Sequence, residues 1–141
     1  MPIEYDIDSK RPLVKITYVG PVTKQEILDH RQQLEDDPRQ VLRYDAVVDL
    51  RYGTVDLSAD DIRELAVAAR ARAWPPSRCA FVSPYDSTYG DLRMFEQWAD
   101  RGPRRYRTFR TFRDACAWLG LEGCDLCADE LRQIGGTDEG A

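Results

Sequence analysis

The sequence predicts an α/β fold: a single domain whose mixed sheet of about five strands follows the order β-β-α-β-α-β-α-β-α, with helices packed on the sheet. Three observations carry this. Two segments near the start alternate apolar with polar residues, the period of half-buried strands, around a turn. Beyond Gly20-Pro21, helical periodicity alternates with short apolar runs, and strands separated by helices need crossover connections that make them parallel. Four hydroxyl residues each stand three positions before a carboxylate at the head of a periodic stretch, the pattern of a capping box.

Taken in order, Ile-Glu-Tyr-Asp-Ile at 3–7 and Leu-Val-Lys-Ile-Thr-Tyr at 13–18 form an antiparallel hairpin across the turn residues 8–12. A helix follows, with Ile27, Leu28, Arg31 and Leu34 at three- and four-residue spacing and Pro38 ending it. Asp-Ala-Val-Val-Asp-Leu at 45–50 is a buried strand, and Ile62, Leu65, Ala66, Ala69 and Ala73 mark a second helix stopped by Pro75-Pro76. Cys-Ala-Phe-Val at 79–82 is a strand by its length and its flanks. The next helix turns Met94, Phe95 and Trp98 inward and stops at Gly102-Pro103. Arg-Tyr-Arg-Thr-Phe at 105–109 alternates as the last strand, and a closing helix runs from Phe112 to Leu119 with Gly120 as its cap. The four start signals are Thr23 with Glu26, Ser58 with Asp61, Thr88 with Asp91, and Thr111 with Asp114. Residues 121–141 are a tail, partly helical or disordered, whose final stretch has nothing to bury.

Composition narrows the function classes. At 141 residues, 43% hydrophobic and 32% charged, the chain closes one core and no more. Its net charge of −5 lacks the basic footprint of a nucleic-acid binder. No apolar run approaches a bilayer span and the start lacks a signal-peptide pattern, so the expected location is cytoplasmic, with the four cysteines as reduced thiols.

Ligands of parallel sheets bind at the strands' carboxyl ends, here residues 51–58 and 83–91. Amides at those helix starts suit an anion, whereas Asp49, Asp56, Asp60, Asp61, Asp86 and Asp91 crowd the same rim and repel one. Those aspartates also suit a divalent cation, but no calcium-loop spacing selects it, and aspartates at helix starts are favoured by the dipole anyway. Cys124-Asp125-Leu126-Cys127 is a redox or half-zinc spacing without a second pair, and His30 has no nucleophile companion. Cys79 and Cys116 read as small core residues. Arg101, Arg104, Arg105, Arg107, Arg110 and Arg113 read either as a charge-protected edge strand or as a docking face for an acidic partner or lipid head group. No cofactor is expected.

Tyr-Gly-Asp-Leu-Arg-Met-Phe at 89–95, and Phe109-Arg110 followed by Ala117-Trp118-Leu119, resemble the "YGxxRMF" and "FR…AWL" motifs of the uncharacterised bacterial STAS/SpoIIAA-like family, related in fold to anti-sigma-factor antagonists and SEC14-type lipid-transfer domains. The resemblance spans about residues 1–120. It implies close helix-to-sheet approach at Gly90 and a polar tie from Arg93 to a neighbouring loop. It also implies a candidate phosphosite at Ser58, although Asp56-Leu57-Ser58-Ala59 lacks the second serine and the glycine of the antagonists' Asp-Ser-Ser-Gly. Tyr52, Ser58, Tyr85, Asp86, Tyr89 and Arg93 are the candidate partner- or ligand-binding residues. The expected function is a non-enzymatic regulatory module acting through a protein partner. The alternative is a carrier of a small apolar or lipid ligand, and the third reading is an enzyme using the aspartate rim. Pairing of two copies into a homodimer is left open.

Overall fold

The computed structural model describes residues 2–8, 11–39, 41–72 and 75–121. The tail beyond Leu121, with its Cys124/Cys127 pair, and Ala73 and Trp74 lie outside them. In chain order the elements are β1 (Ile3–Asp8), β2 (Leu13–Val22), α1 (Lys24–Asp36), a 3-10 turn (Val41–Arg43), β3 (Asp45–Val55), α2 (Ala59–Arg70), β4 (Ser77–Val82), α3 (Asp86–Ala99), β5 (Arg104–Phe109) and α4 (Phe112–Leu119). The sheet has five strands in the order β1-β2-β3-β4-β5. β1 runs antiparallel to β2, pairing Ile3 with Tyr18, and each later neighbour is parallel, as the intervening helices require.

The two faces are covered unequally. Ile16, Tyr18, Val48, Cys79, Phe81 and Tyr106 point to the face that packs on Leu34 of α1, Ala66 and Ala69 of α2, and Leu92 and Ala99 of α3. The opposite face sets Leu13, Val47, Ala80 and Val82 against Phe112, Ala115 and Leu119 of α4 alone. Alternation along each strand makes this division, because successive side chains leave a strand on opposite sides.

Three of the expected caps form. Thr23 and Ser58 close full capping boxes with Glu26 and Asp61, and Thr111 accepts from the Asp114 amide. The fourth does not. α3 begins at Asp86, after Tyr85, whose side chain makes no cap. The Ser83 hydroxyl accepts from the Tyr85 amide at 3.3 Å and bends the chain into the helix three residues earlier. Thr88 then falls inside the first turn and is buried. Met94, expected inward, faces outward at 37% exposed, and Leu92, Glu96 and Ala99 are the inward residues beside Phe95.

β2 and β3 are longer than their alternation suggests. A register shift between Thr17 and Val19 lets their ladder resume and carry Gly20-Pro21 and Gly53-Thr54 as paired residues. Gly20 sits at φ 70°, a conformation glycine adopts without strain. At Gly53 the constraint is space, since a Cβ there would lie 2.6 Å from the Tyr18 carbonyl oxygen.

Candidate functional site

Two places in this fold gather side chains that the packing alone does not explain. The first is at the carboxyl ends of the parallel strands. Tyr85 donates its hydroxyl to the Arg51 carbonyl at 2.8 Å. Arg110 donates to the Pro84 carbonyl at 3.2 Å and to Asp86 at 2.7 Å, and its guanidinium lies 3.9 Å from the Tyr89 ring centroid. Arg51 lies over Tyr52 at 5.2 Å. Tyr52 and Tyr85 each remain 49% exposed.

Of the sequence-predicted residues, then, Tyr52, Tyr85, Asp86 and Tyr89 meet around Arg51 and Arg110. The other two are engaged elsewhere. Ser58 caps α2, exchanging bonds with Asp61 at 3.1 Å, and its amide holds the Asp61 carboxyl below the usual carboxylate range. Arg93 ties to Glu96 of its own helix at 2.7 Å rather than to a loop, because the i,i+3 spacing puts the two on one face. Gly90 makes no close approach either: a Cβ there would meet nothing within 4 Å.

The aspartate rim is also partitioned by the structure. Asp49 is 1% exposed and faces α4, where it accepts from the Arg51 amide and guanidinium at 2.9 to 3.1 Å. Arg51 in turn lies 4.3 Å from the Phe112 ring centroid. Among the described residues no group of three or more His, Cys, Asp or Glu is placed to hold a metal ion.

The second place is a pocket between the sheet and α1, α2 and α3, with a cavity volume of about 120 Å³. Ile16, Leu34, Val48, Phe81 and Leu92 form much of its wall. Phe81, Phe95 and Tyr106 make an aromatic corner with centroids 5.3 to 6.1 Å apart, two edge-on contacts and one stack.

The lining is not wholly apolar. Arg31, Arg104, Tyr18, Tyr106 and Cys79 all contribute, and they act on one another electrostatically. Burial pushes the Tyr106 phenol up to about 12 and raises the Tyr18 phenol and the Cys79 thiol, so all three are neutral at pH 7. Burial, reinforced by Arg104, works against the charge on Arg31. Arg104 donates to Ser77 Oγ at 2.8 Å and to the Tyr44 carbonyl at 3.2 Å, fixing it at the amino ends of β4 and β5. Asp91 lines the part formed with Leu57, its carboxyl raised by burial and by Asp56.

Sequence reasoning held an apolar-ligand carrier as its alternative but did not place the pocket, and it gave Arg31 only as a residue of the α1 stripe. His30 beside it is buried, edge-on to Tyr5 at 5.6 Å, with its pKa lowered by burial.

Comparison with known proteins adds fold and no activity. Neither protein-family models nor curated proteins match the chain. Among solved structures it is similar to an uncharacterised protein of the DUF3478 family with a SpoIIAA-like fold from Shewanella loihica PV-4. That likeness has a TM-score of 0.54 at 19% identity and covers 83% of this chain and 93% of the other. With the five-stranded mixed sheet and its strand order, this identifies the chain as having a SpoIIAA-like α/β fold.

Proposed function

We propose that the protein is a non-catalytic binding module that holds a small, largely apolar ligand between its sheet and helices α1 to α3. The observation that carries this is the pocket of about 120 Å³ walled by aliphatic and aromatic side chains. Protein interiors ordinarily leave few spaces larger than a water molecule. An apolar cavity of roughly 150 Å³ accepts a benzene-sized guest, so this one suits a single ring or a short chain. The fold relation to lipid-transfer domains supports the reading, while the volume limits the guest to something smaller than a long-chain lipid.

The test is native mass spectrometry of protein purified without denaturation, joined to methyl NMR during titration with benzene. A saturable shift confined to Leu34, Val48, Ile62 and Leu92 supports the reading. Benzene that leaves those methyls unmoved overturns it.

A second reading, a regulatory module that acts by binding a protein partner, is favoured by the exposed Tyr52 and Tyr85 beside Arg110, since tyrosine and arginine dominate interface energetics. Ser58 would be its phosphorylation switch, the added phosphate competing with Asp61 for the α2 cap. The same mass spectra test it through a second chain or partner mass that is lost on combining Tyr52→Ser with Tyr85→Ser.

A further inference from the structure

Two residues that line the pocket, His30 and Arg31, have buried nitrogens that the apolar guest proposed above does not answer, and Arg31 is the cation of the pair. Arg31 Nη1 is shut off from solvent and has no hydrogen-bond partner among the described residues. A buried guanidinium edge without an acceptor carries its full desolvation cost, and an unpaired buried charge costs more still.

The surroundings do not offset it. The neighbours that act on Arg31 are the neutral Tyr18, Tyr106 and Cys79 and the like charge of Arg104. Arg72 adds further positive charge. The acid close by, Glu35, forms an ion pair with Arg72. The end of the pocket lined by Arg31 and Arg104 therefore holds positive potential.

We propose that the pocket binds a small monocarboxylate, with a single ring or a short alkyl chain, whose carboxylate accepts from the Arg31 guanidinium. Arg104 adds favourable potential from β5, and the apolar tail packs against Leu34, Val48, Phe81 and Leu92. A carboxylate fits better than a phosphoryl group, which carries about −2 charge on three oxygens and would need more donors than this end supplies. This assignment rests on the apolar-carrier reading and adds the chemical class of its ligand.

The experiment titrates the full chain with benzoate and hexanoate and with their neutral counterparts benzyl alcohol and hexan-1-ol, by calorimetry and methyl NMR. The acids should bind about tenfold or more tightly than the alcohols, the value of a charge-assisted hydrogen bond. Arg31→Met should abolish that preference while leaving alcohol binding in place, and Arg31→Lys should restore part of it. The melting temperature of ligand-free Arg31→Met should equal or exceed the wild type's, because the substitution removes a buried guanidinium nitrogen that lacks a partner.

Equal binding of acids and alcohols by the wild type overturns the carboxylate assignment and leaves the apolar carrier standing. So does an acid preference that survives in a folded Arg31→Met. Failure of all four compounds to bind overturns both. Should Arg31→Met not fold, the acid-to-alcohol preference of the wild type decides alone.

Discussion

Individual charges in this protein are of two kinds, those satisfied locally and those facing inward without a partner. Asp37 is of the first kind. The Arg39 side chain holds its carboxyl well below the usual carboxylate range, and the Tyr5 hydroxyl, donating at 2.6 Å, adds to the effect. A carboxyl whose folded pKa is depressed stabilises the fold fully above its unfolded value, about 3.9, and loses that contribution as pH falls toward the folded value. Asp37→Asn should therefore unfold at lower urea than wild type at pH 7. The difference between their midpoints should shrink steadily below about pH 4. A gap that stays constant down to pH 2 would mean that Asp37 acts through packing instead. Arg31 is of the second kind at its Nη1, whereas Glu96, whose carboxyl burial raises, keeps Arg93 as its partner at 2.7 Å.

At the scale of elements, the β2–β3 ladder is the unusual feature. A bulge after Thr17 and a glycine on each strand let β2 continue through Pro21 while Gly53 lies against the Tyr18 backbone. Tyr18 is in turn a wall of the pocket, so the ladder sets the position of one of its hydroxyls. Gly53→Ala places a methyl 2.6 Å from the Tyr18 carbonyl, and backbone cannot swing aside as a side-chain end can. The expected cost is about 1 to 3 kcal/mol, the usual penalty of overpacking. Equilibrium urea unfolding would measure it, with chemical-shift changes concentrated in β2 and β3. The helices are conventional by comparison, each of Thr23, Ser58 and Thr111 satisfying an amide that would otherwise lack a partner.

For the whole molecule, unequal coverage of the sheet decides where a ligand can go. One short helix, α4, fills its face with Phe112, Ala115 and Leu119 packed against Val47, Ala80 and Val82. Three helices share the other face, and between them and the strands the pocket remains. A guest that binds the folded state alone stabilises it by mass action, about 2.7 kcal/mol at a hundred times its dissociation constant. Benzoate at that concentration should raise the melting temperature of the wild type clearly more than that of Arg31→Met, for which a tenfold weaker affinity leaves about half the stabilisation, about 1.4 kcal/mol. An equal rise in both would place benzoate outside the pocket. No helix among the described residues is long and apolar enough to cross a membrane.

Most of the architecture was legible from local pattern. Alternation in Leu13 to Tyr18, helical spacing in Ile62 to Ala69, and caps at Thr23, Ser58 and Thr111 depend on residues within one or two turns of each other, so the sequence by itself determined the elements, their order and the parallel pairing. The start of α3 was misread because Thr88 and Ser83 are both plausible local partners, and only the full backbone path shows which hydroxyl meets an amide. The length of β2 and β3 was hidden because glycine and proline mark turns unless a neighbouring strand pairs with them. The aromatic rim was partly visible in Tyr52, Tyr85, Asp86 and Tyr89, whereas its organiser Arg110 comes from beyond β5. The pocket was the least visible feature. Arg31, Tyr18, Cys79, Arg104 and Tyr106 come from one helix and three strands, and each alone looks like a core or edge residue. Their convergence, and the vacant donor on Arg31, are decided only by tertiary structure, because desolvation and the lack of a partner are properties of three-dimensional surroundings and not of any local run of residues.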